Sequence, residues 1–389
     1  MSSKKKIALV VGARPNFVKA FPVYESLKED FDLTLIHTGQ HFDEQMSDVF
    51  FNQLAFAKPD IHLELLTKTK AGKYNKKLYG KNSRVLEQKR KLITELLTEP
   101  PKNLGQIGEI RERLMNAFKL IRPDLVMVFG DVTSTLAGAL AAKKAGVQLA
   151  HVEAGLRSHD LSMPEEVNRI LTDSISDYLF VSEESGLVNL KKEGLDKGNV
   201  HLVGNTMIDS QAKFLEVALK KEYYKEHGLN KMSYVVFTLH RPENVDNKEK
   251  LISILDEILV LSKKHPVIFP IHHRTLKLIR QIGYLTKLKS SENIVLTKAL
   301  AYLEFTSLMA NAMFIITDSG GLQEESTALN IPCFTLRKNT ERPATLIENN
   351  GTNQLIQEIS SIHLKECKSS IKLWDGKAAG RIKDVLLQI

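Results

Sequence analysis

Short apolar runs rich in Val, Ile and Phe recur along the chain, each followed by a polar or glycine-containing turn and then a stretch of helical period. Runs of this kind are strands covered on both faces, and their alternation with helices specifies a parallel, doubly wound sheet. In the first half the runs are Ile7–Val11, Leu33–His37, Leu125–Phe129, Gln148–Val152, Tyr178–Val181 and Val200–Val203. In the second they are Tyr234–His240, Val267–Ile271, Ile294–Thr297, Phe314–Thr317 and Cys333–Leu336. Two such sets predict an α/β chain of two Rossmann-like domains, 1–205 and 206–375. A last helix within 376–389, around Ala378–Leu387, is expected to pack back on the first domain. The rhythm breaks between Leu66 and Asn103, a basic insertion with Pro100 and Pro101, no strand pattern, and helical character only from Ser83 to Leu97.

Composition supports two cores, since 389 residues at 43% hydrophobic exceed what one compact α/β core needs. Lys4–Lys6 ahead of Ile7–Val11 has the outline of a signal peptide, but the apolar run stops at Gly12 and Arg14 and reads as a buried first strand. No stretch approaches the roughly 20 apolar residues of a membrane-spanning helix. Cys333 and Cys367 have neither pairing nor metal-ligand spacing. The expectation is a soluble, cytoplasmic protein without membrane partner or metal. The net charge of +8 is local: between Lys68 and Lys91 ten basic residues face one acid, Glu87, and the rest of the chain is close to neutral. That segment reads as a solvated face, and with only Tyr74 and Tyr79 to stack on, no nucleic-acid partner is expected.

In open α/β sheets ligands bind beyond the carboxyl ends of the strands, so the residues after each run carry the chemistry. Gly12-Ala13-Arg14-Pro15-Asn16 leaves the first strand with a tight turn, a fixed cation and a proline suited to a helix start. It is not a GxGxxG fingerprint, and no P-loop, HExxH or GxSxG occurs. Acids follow later strands: Asp131 after Gly130, Glu153 in Glu153-Ala154-Gly155-Leu156-Arg157, and Glu165-Glu166 at a helix start after Pro164. Each acid alone serves equally as a cap or as a partner for Arg157 or Arg169, but three converging on one crevice fit a site with both a general base and a general acid. The second half supplies anion binding: His240-Arg241-Pro242-Glu243-Asn244 ends one strand, and Asp318-Ser319-Gly320-Gly321 opens a helix whose N–H groups cradle a phosphate. Glu325 is placed to accept from ribose hydroxyls, and Arg342 to meet a pyrophosphate. His272 and His273, if on a strand, point to opposite faces.

These motifs, with His151-Val152-Glu153-Ala154-Gly155-Leu156-Arg157, Pro164-Glu165-Glu166-Val167-Asn168-Arg169 and Thr340-Glu341-Arg342-Pro343, occur in an order that resembles the non-hydrolysing UDP-N-acetylglucosamine 2-epimerases. The resemblance spans nearly the whole chain except the basic insertion. It implies a glycosyltransferase-B fold, two Rossmann-like domains with a central cleft, and conversion of UDP-GlcNAc to UDP-ManNAc through 2-acetamidoglucal and UDP, without a cofactor. It further implies Asp131, Glu153 and Glu165 as acid/base residues, and His240 and Arg14 near the leaving UDP. Ser319, Gly320, Glu325 and Arg342 would hold UDP, with Phe305 against the uracil. A homodimer feeding surface-polysaccharide synthesis is the family's common form. Phe42-Asp43-Glu44-Gln45-Met46-Ser47-Asp48 differs from the segment with which bacterial members bind a second, activating UDP-GlcNAc, so that control is not carried over.

Four alternatives stand beside this reading. Met46-Ser47-Asp48-Val49-Phe50-Phe51 also resembles 2-epimerases of UDP-2,3-diacetamido-2,3-dideoxyglucuronate. A hydrolysing epimerase would release free ManNAc, a glycosyltransferase would need an acceptor site, and a non-catalytic nucleotide- or polyanion-binding protein would rely on the basic segment.

Overall fold

The computed structural model describes residues 4–40, 56–63 and 105–389, with only the backbone of Arg14. The basic insertion and the segment from Phe42 to Phe51 lie outside the described residues. The chain divides into two compact units, Met1–Ser210 with Lys372–Ile389, and Gln211–Ile371.

The first unit runs β1 (Lys6–Val11), α1 (Arg14–Leu27), β2 (Asp32–His37), β3 (Ile61–His62), α2 (Gly105–Ile121), β4 (Leu125–Phe129), α3 (Thr133–Lys144), β5 (Gln148–Ala154), α4 (Pro164–Ile175), β6 (Tyr178–Val181), α5 (Glu184–Lys192) and β7 (Val200–Leu202). Its sheet has the order β3-β2-β1-β4-β5-β6-β7 with every pairing parallel. β4 is buried at all five positions, which is why its sequence shows no polar alternation. The chain passes into the second unit within α6 (Thr206–Lys221).

The second unit runs β8 (Val235–Phe237), α7 (Pro242–Val245), α8 (Lys248–Ser262), β9 (Val267–Ile271), α9 (His273–Gln281), α10 (Leu285–Lys289), β10 (Ile294–Lys298), α11 (Tyr302–Ala310), β11 (Phe314–Thr317), α12 (Gly320–Ala328), β12 (Cys333–Leu336) and β13 (Asn353–Ile356). Its order, β10-β9-β8-β11-β12-β13, is again wholly parallel and is the doubly wound order of a dinucleotide-binding fold. The central helix α8 starts at Asn247, whose side chain accepts the Lys250 N–H at 2.8 Å, and buries Leu251, Ile254, Leu255 and Ile258 at helical spacing against the sheet.

The last helix, α13 (Ala378–Leu386), belongs to the first unit. Asp209 accepts its first N–H groups, from Ala378 at 3.0 Å and Ala379 at 2.7 Å, and Ser26 of α1 donates to the Ala379 carbonyl at 3.3 Å. Ala378, Ala379, Ile382 and Leu386 form its buried stripe.

Candidate active site

In each sheet the strand order reverses once, between β1 and β4 and between β8 and β11, and the loops leaving those strands diverge to open a crevice. Arg14, Asp131, His240, Ser319 and Gly320 follow the strands at these two places.

In the first unit, Asn16 Oδ1 takes the Gly12 and Ala13 N–H groups at 3.1 and 3.2 Å, while its Nδ2 donates to the Phe129 carbonyl at 2.8 Å. The turn after β1 is thereby tied to the end of β4, and its N–H groups are spent rather than offered to a phosphate. Arg14 opens α1, but its side chain lies outside what the structure describes. Gly130, past β4, has φ +62°, and a Cβ there would lie 3.1 Å from Lys19 Nζ and 3.6 Å from Glu153 Oε2. Two buried charges meet at this point: Lys19 of α1 pairs with Glu153, their side chains 4% and 5% exposed. Glu153 has φ +76° at an irregularity of the β5–β6 pairing between Val152 and Ala154. A non-glycine residue in that region costs on the order of 1–3 kcal/mol, held here by a bulge that turns one side chain out of the strand's alternation.

Asp131 accepts from Arg169 Nη2 at 2.5 Å, and its carbonyl accepts from Asn168 Nδ2 at 2.8 Å. Arg169 also donates to Glu166 at 2.9 Å, and Glu166 accepts the Ser158 and His159 N–H groups at 2.8 and 3.0 Å. Glu166 is therefore occupied by the loop it organises. No hydrogen bond or ion pair among the described residues occupies the half-buried carboxylate of Glu165, its neighbour in the first turn of α4. Three carboxylates thus stand in unlike settings, one facing arginine, one lysine and one neither.

In the second unit, wholly buried Asp318 accepts the His240 and Arg241 N–H groups at 3.1 and 2.8 Å and Asn244 Nδ2 at 3.1 Å. Burial alone would raise its pKa, but the His240 ring beside it and the Arg241 and Asn244 donors hold the carboxyl below its ordinary 3.8. The carboxylate faces His240 Nδ1 at 3.0 Å, which fixes that nitrogen as the donor and turns Nε2 of the 41% exposed side chain outward. Ser319 is the N-cap of α12, its N–H donating to Thr317 Oγ1 at 3.0 Å. A Cβ on Gly320 would meet Glu341 Oε1 at 2.6 Å and Arg342 Nη1 at 2.7 Å, so glycine leaves room for these side-chain ends at the helix start. The Arg342 guanidinium faces Glu324 at 2.8 Å and also pairs with Glu341. Its charge is balanced in place, and it holds that loop against α12. Glu325 is 7% exposed on α12, and Phe305 of α11 lies half-buried on the cluster that includes Tyr234 and Leu308.

The reading of His272 and His273 as strand neighbours on opposite faces is corrected: β9 ends at Ile271, His272 is the N-cap of α9, and the two ring centroids lie 4.1 Å apart, tilted by 39°. Among the described residues no cluster of three His, Cys, Asp or Glu side chains has the arrangement of a metal site. Two residues of the site were not singled out from sequence. Asp318 had a visible signal, an acid directly after a strand. Lys19 had a fainter one, a lone charge inside the apolar run Phe17–Val23.

A sequence model of the family described as UDP-N-acetylglucosamine 2-epimerase matches residues 25–94 and 92–387. A UDP-N-acetylglucosamine 2-epimerase of Methanococcus maripaludis is 41% identical, aligned over 89% of this chain and 87% of its own. A UDP-2,3-diacetamido-2,3-dideoxy-D-glucuronate 2-epimerase of Pseudomonas aeruginosa is 33% identical over 99% of this chain and 100% of its own. Among solved structures, the Methanocaldococcus jannaschii UDP-GlcNAc 2-epimerase in complex with UDP-GlcNAc and UDP superposes with a TM-score of 0.80 at 35% identity, covering 99% of this chain and 100% of that one. With the family match and these likenesses spanning most of its length, the chain belongs to the UDP-N-acetylglucosamine 2-epimerase family and has its glycosyltransferase-B type of fold.

Proposed function

We propose that the protein interconverts UDP-GlcNAc and UDP-ManNAc by expelling UDP and adding it back. The observation that carries this reading is the division of chemistry between the two strand-order reversals. One unit gathers three carboxylates in unlike settings; the other sets an Asp318-oriented imidazole near the glycine-lined start of a helix. The Methanocaldococcus structure, which holds UDP-GlcNAc and UDP, supports it from outside.

The C2–H of the intact sugar is not acidic, so proton loss has to accompany C1–O cleavage. The C2–H electron pair becomes the C1=C2 double bond as the C1–O pair leaves on UDP, giving 2-acetamidoglucal and UDP. Return of a proton to the other face of C2, with attack of the UDP oxygen on C1, gives the epimer. Asp131, Glu153 and Glu165 form the acid/base set for the two faces. His240 and the N–H groups opening α12 take up the charge that grows on the departing diphosphate. Arg14, Ser319, Gly320, Glu325 and Arg342 retain UDP, with Phe305 against the uracil.

The test is incubation with UDP-GlcNAc in D2O, without metal or NAD, followed by NMR. Deuterium at C2 with UDP-ManNAc appearing is expected; free ManNAc with UDP would make the enzyme a hydrolysing one. The Pseudomonas relative supports a second reading, UDP-2,3-diacetamido-2,3-dideoxyglucuronate as substrate. Exchange in that sugar and none in UDP-GlcNAc would establish it. No helix among the described residues is long and apolar enough to cross a membrane. A cytoplasmic homodimer serving polysaccharide synthesis rests on family resemblance, and light scattering after size exclusion checks the dimer.

A further inference from the structure

We propose that His151 is a positioning residue held as a buried imidazolium, whose two N–H groups join Asp173 to the Gly130 carbonyl and so fix the backbone that presents Asp131. Its consequence for activity rests on the epimerase reading above; its protonation does not.

His151 lies within β5 and is fully buried. Nδ1 is 2.6 Å from Asp173 Oδ1 and Nε2 is 2.7 Å from the Gly130 carbonyl oxygen. A neutral imidazole has one donor and one acceptor, and the carbonyl accepts only. A neutral ring would therefore present its bare Nδ1 to Asp173, which would have to carry a proton. The surroundings of Asp173 keep that proton off. Its Oδ2 accepts the Gly155 N–H at 3.1 Å and faces Arg157 Nη2 at 2.7 Å. Burial pushes the Asp173 carboxyl up, but the groups around it, the Arg157 guanidinium first, hold it below its ordinary 3.8. An ionised carboxylate on one side and a carbonyl on the other leave the ring as donor to both.

A lone imidazolium in this place would be expensive, but the charges close on themselves. Arg157 also binds Glu193 in a forked pair, Nε to Oε1 at 2.8 Å and Nη2 to Oε2 at 3.0 Å, so two cations meet two anions. The mechanical effect falls on the turn after β4. The Gly130 N–H donates to the Val152 carbonyl at 3.0 Å, His151 grips the Gly130 carbonyl, and Asn168 grips that of Asp131. At φ +62° the Gly130 N–H still bonds to Val152 of the neighbouring strand, and the imidazolium supplies the hydrogen bond to the Gly130 carbonyl. Asp173 of α4 and Asp131 after β4 are thus coupled through one ring that touches no substrate.

The test uses the full chain with 15N-labelled histidine, observed at pH 8, where an ordinary exposed imidazole of pKa about 6.5 is neutral. One ring, assigned by its disappearance in His151→Gln, is expected to carry protons on both nitrogens; a bare nitrogen on that ring overturns the proposal. In Asp173→Asn the carboxamide can donate to Nδ1, so the ring should become neutral while Nε2–H stays on Gly130. A doubly protonated ring in that variant removes Asp173 from the account. Glutamine at 151 cannot reach both partners, and it should slow C2 deuterium exchange about 10²-fold, the usual consequence of a misplaced catalytic group, with UDP affinity unchanged by calorimetry. Unchanged exchange, or an equal loss of UDP affinity, defeats the positioning role. If the wild-type chain exchanges C2 in neither UDP sugar, the epimerase reading fails, and the ring measurement still decides the protonation state.

Discussion

Asp131 and Glu153 stand on neighbouring strand ends and face different cations, Arg169 and Lys19, so substitution can separate their contributions. Asp131→Asn removes a carboxylate while keeping its volume; epimerisation should disappear in the NMR assay while UDP affinity is retained. Loss of both together would take Asp131 out of the chemistry. Lys19→Met strands a buried carboxylate, and breaking such a pair costs about 3–5 kcal/mol. The variant should show that loss in urea unfolding, and a wild-type midpoint would mean that Glu153 finds another partner. The acids themselves were legible in the sequence because strand ends are legible. Arg169 was legible as a partner too, but Lys19 was not: it precedes Glu153 by more than a hundred positions, and only the packing of α1 on the sheet brings them together.

At the scale of elements, the start of α12 is a close joint in the second unit. Gly320→Ala presses a methyl group on the ends of the Glu341 and Arg342 side chains and disturbs their buried ion pair, costing about 1–3 kcal/mol as an overpacked contact. A lowered melting temperature and weaker UDP binding are expected together; a stable variant with normal UDP affinity would exclude this helix start from the UDP site. Asn247→Ala serves as the contrast, since it removes the cap of α8, should cost about 1 kcal/mol, and should leave turnover as it was. The long apolar runs all became strands because a buried parallel strand has a signature of its own. β13 escaped because Asn353 and Gln354 interrupt its apolar character: Asn353 is buried among polar partners, donating to Gln323 Oε1 at 3.1 Å. β3 is two residues long and has no pattern to find. β8 is shorter than its run, since the chain leaves the sheet before His240 and Arg241 donate to Asp318.

Across the whole molecule, acid should destabilise the fold before carboxylates titrate. Burial, with His62 beside it, pushes the His37 pKa from 6.5 down to about 4. Between those values the unfolded chain binds a proton that the folded one refuses, so stability falls as pH drops from 6.5 toward 4, by about 3 kcal/mol at most. His201, lowered by burial, acts in the same direction. Urea midpoints at neutral pH and near pH 4.5 should differ more for the wild type than for His37→Phe, and equal differences would assign the acid sensitivity elsewhere. The first unit is discontinuous in sequence, with α13 following the whole of the second. On a ribosome adding roughly 5–20 residues per second, the face of α1 that α13 covers waits about 20–70 s for its partner, long enough for a chaperone to find it. The order of synthesis thus leaves that face of α1 uncovered until α13 has been made.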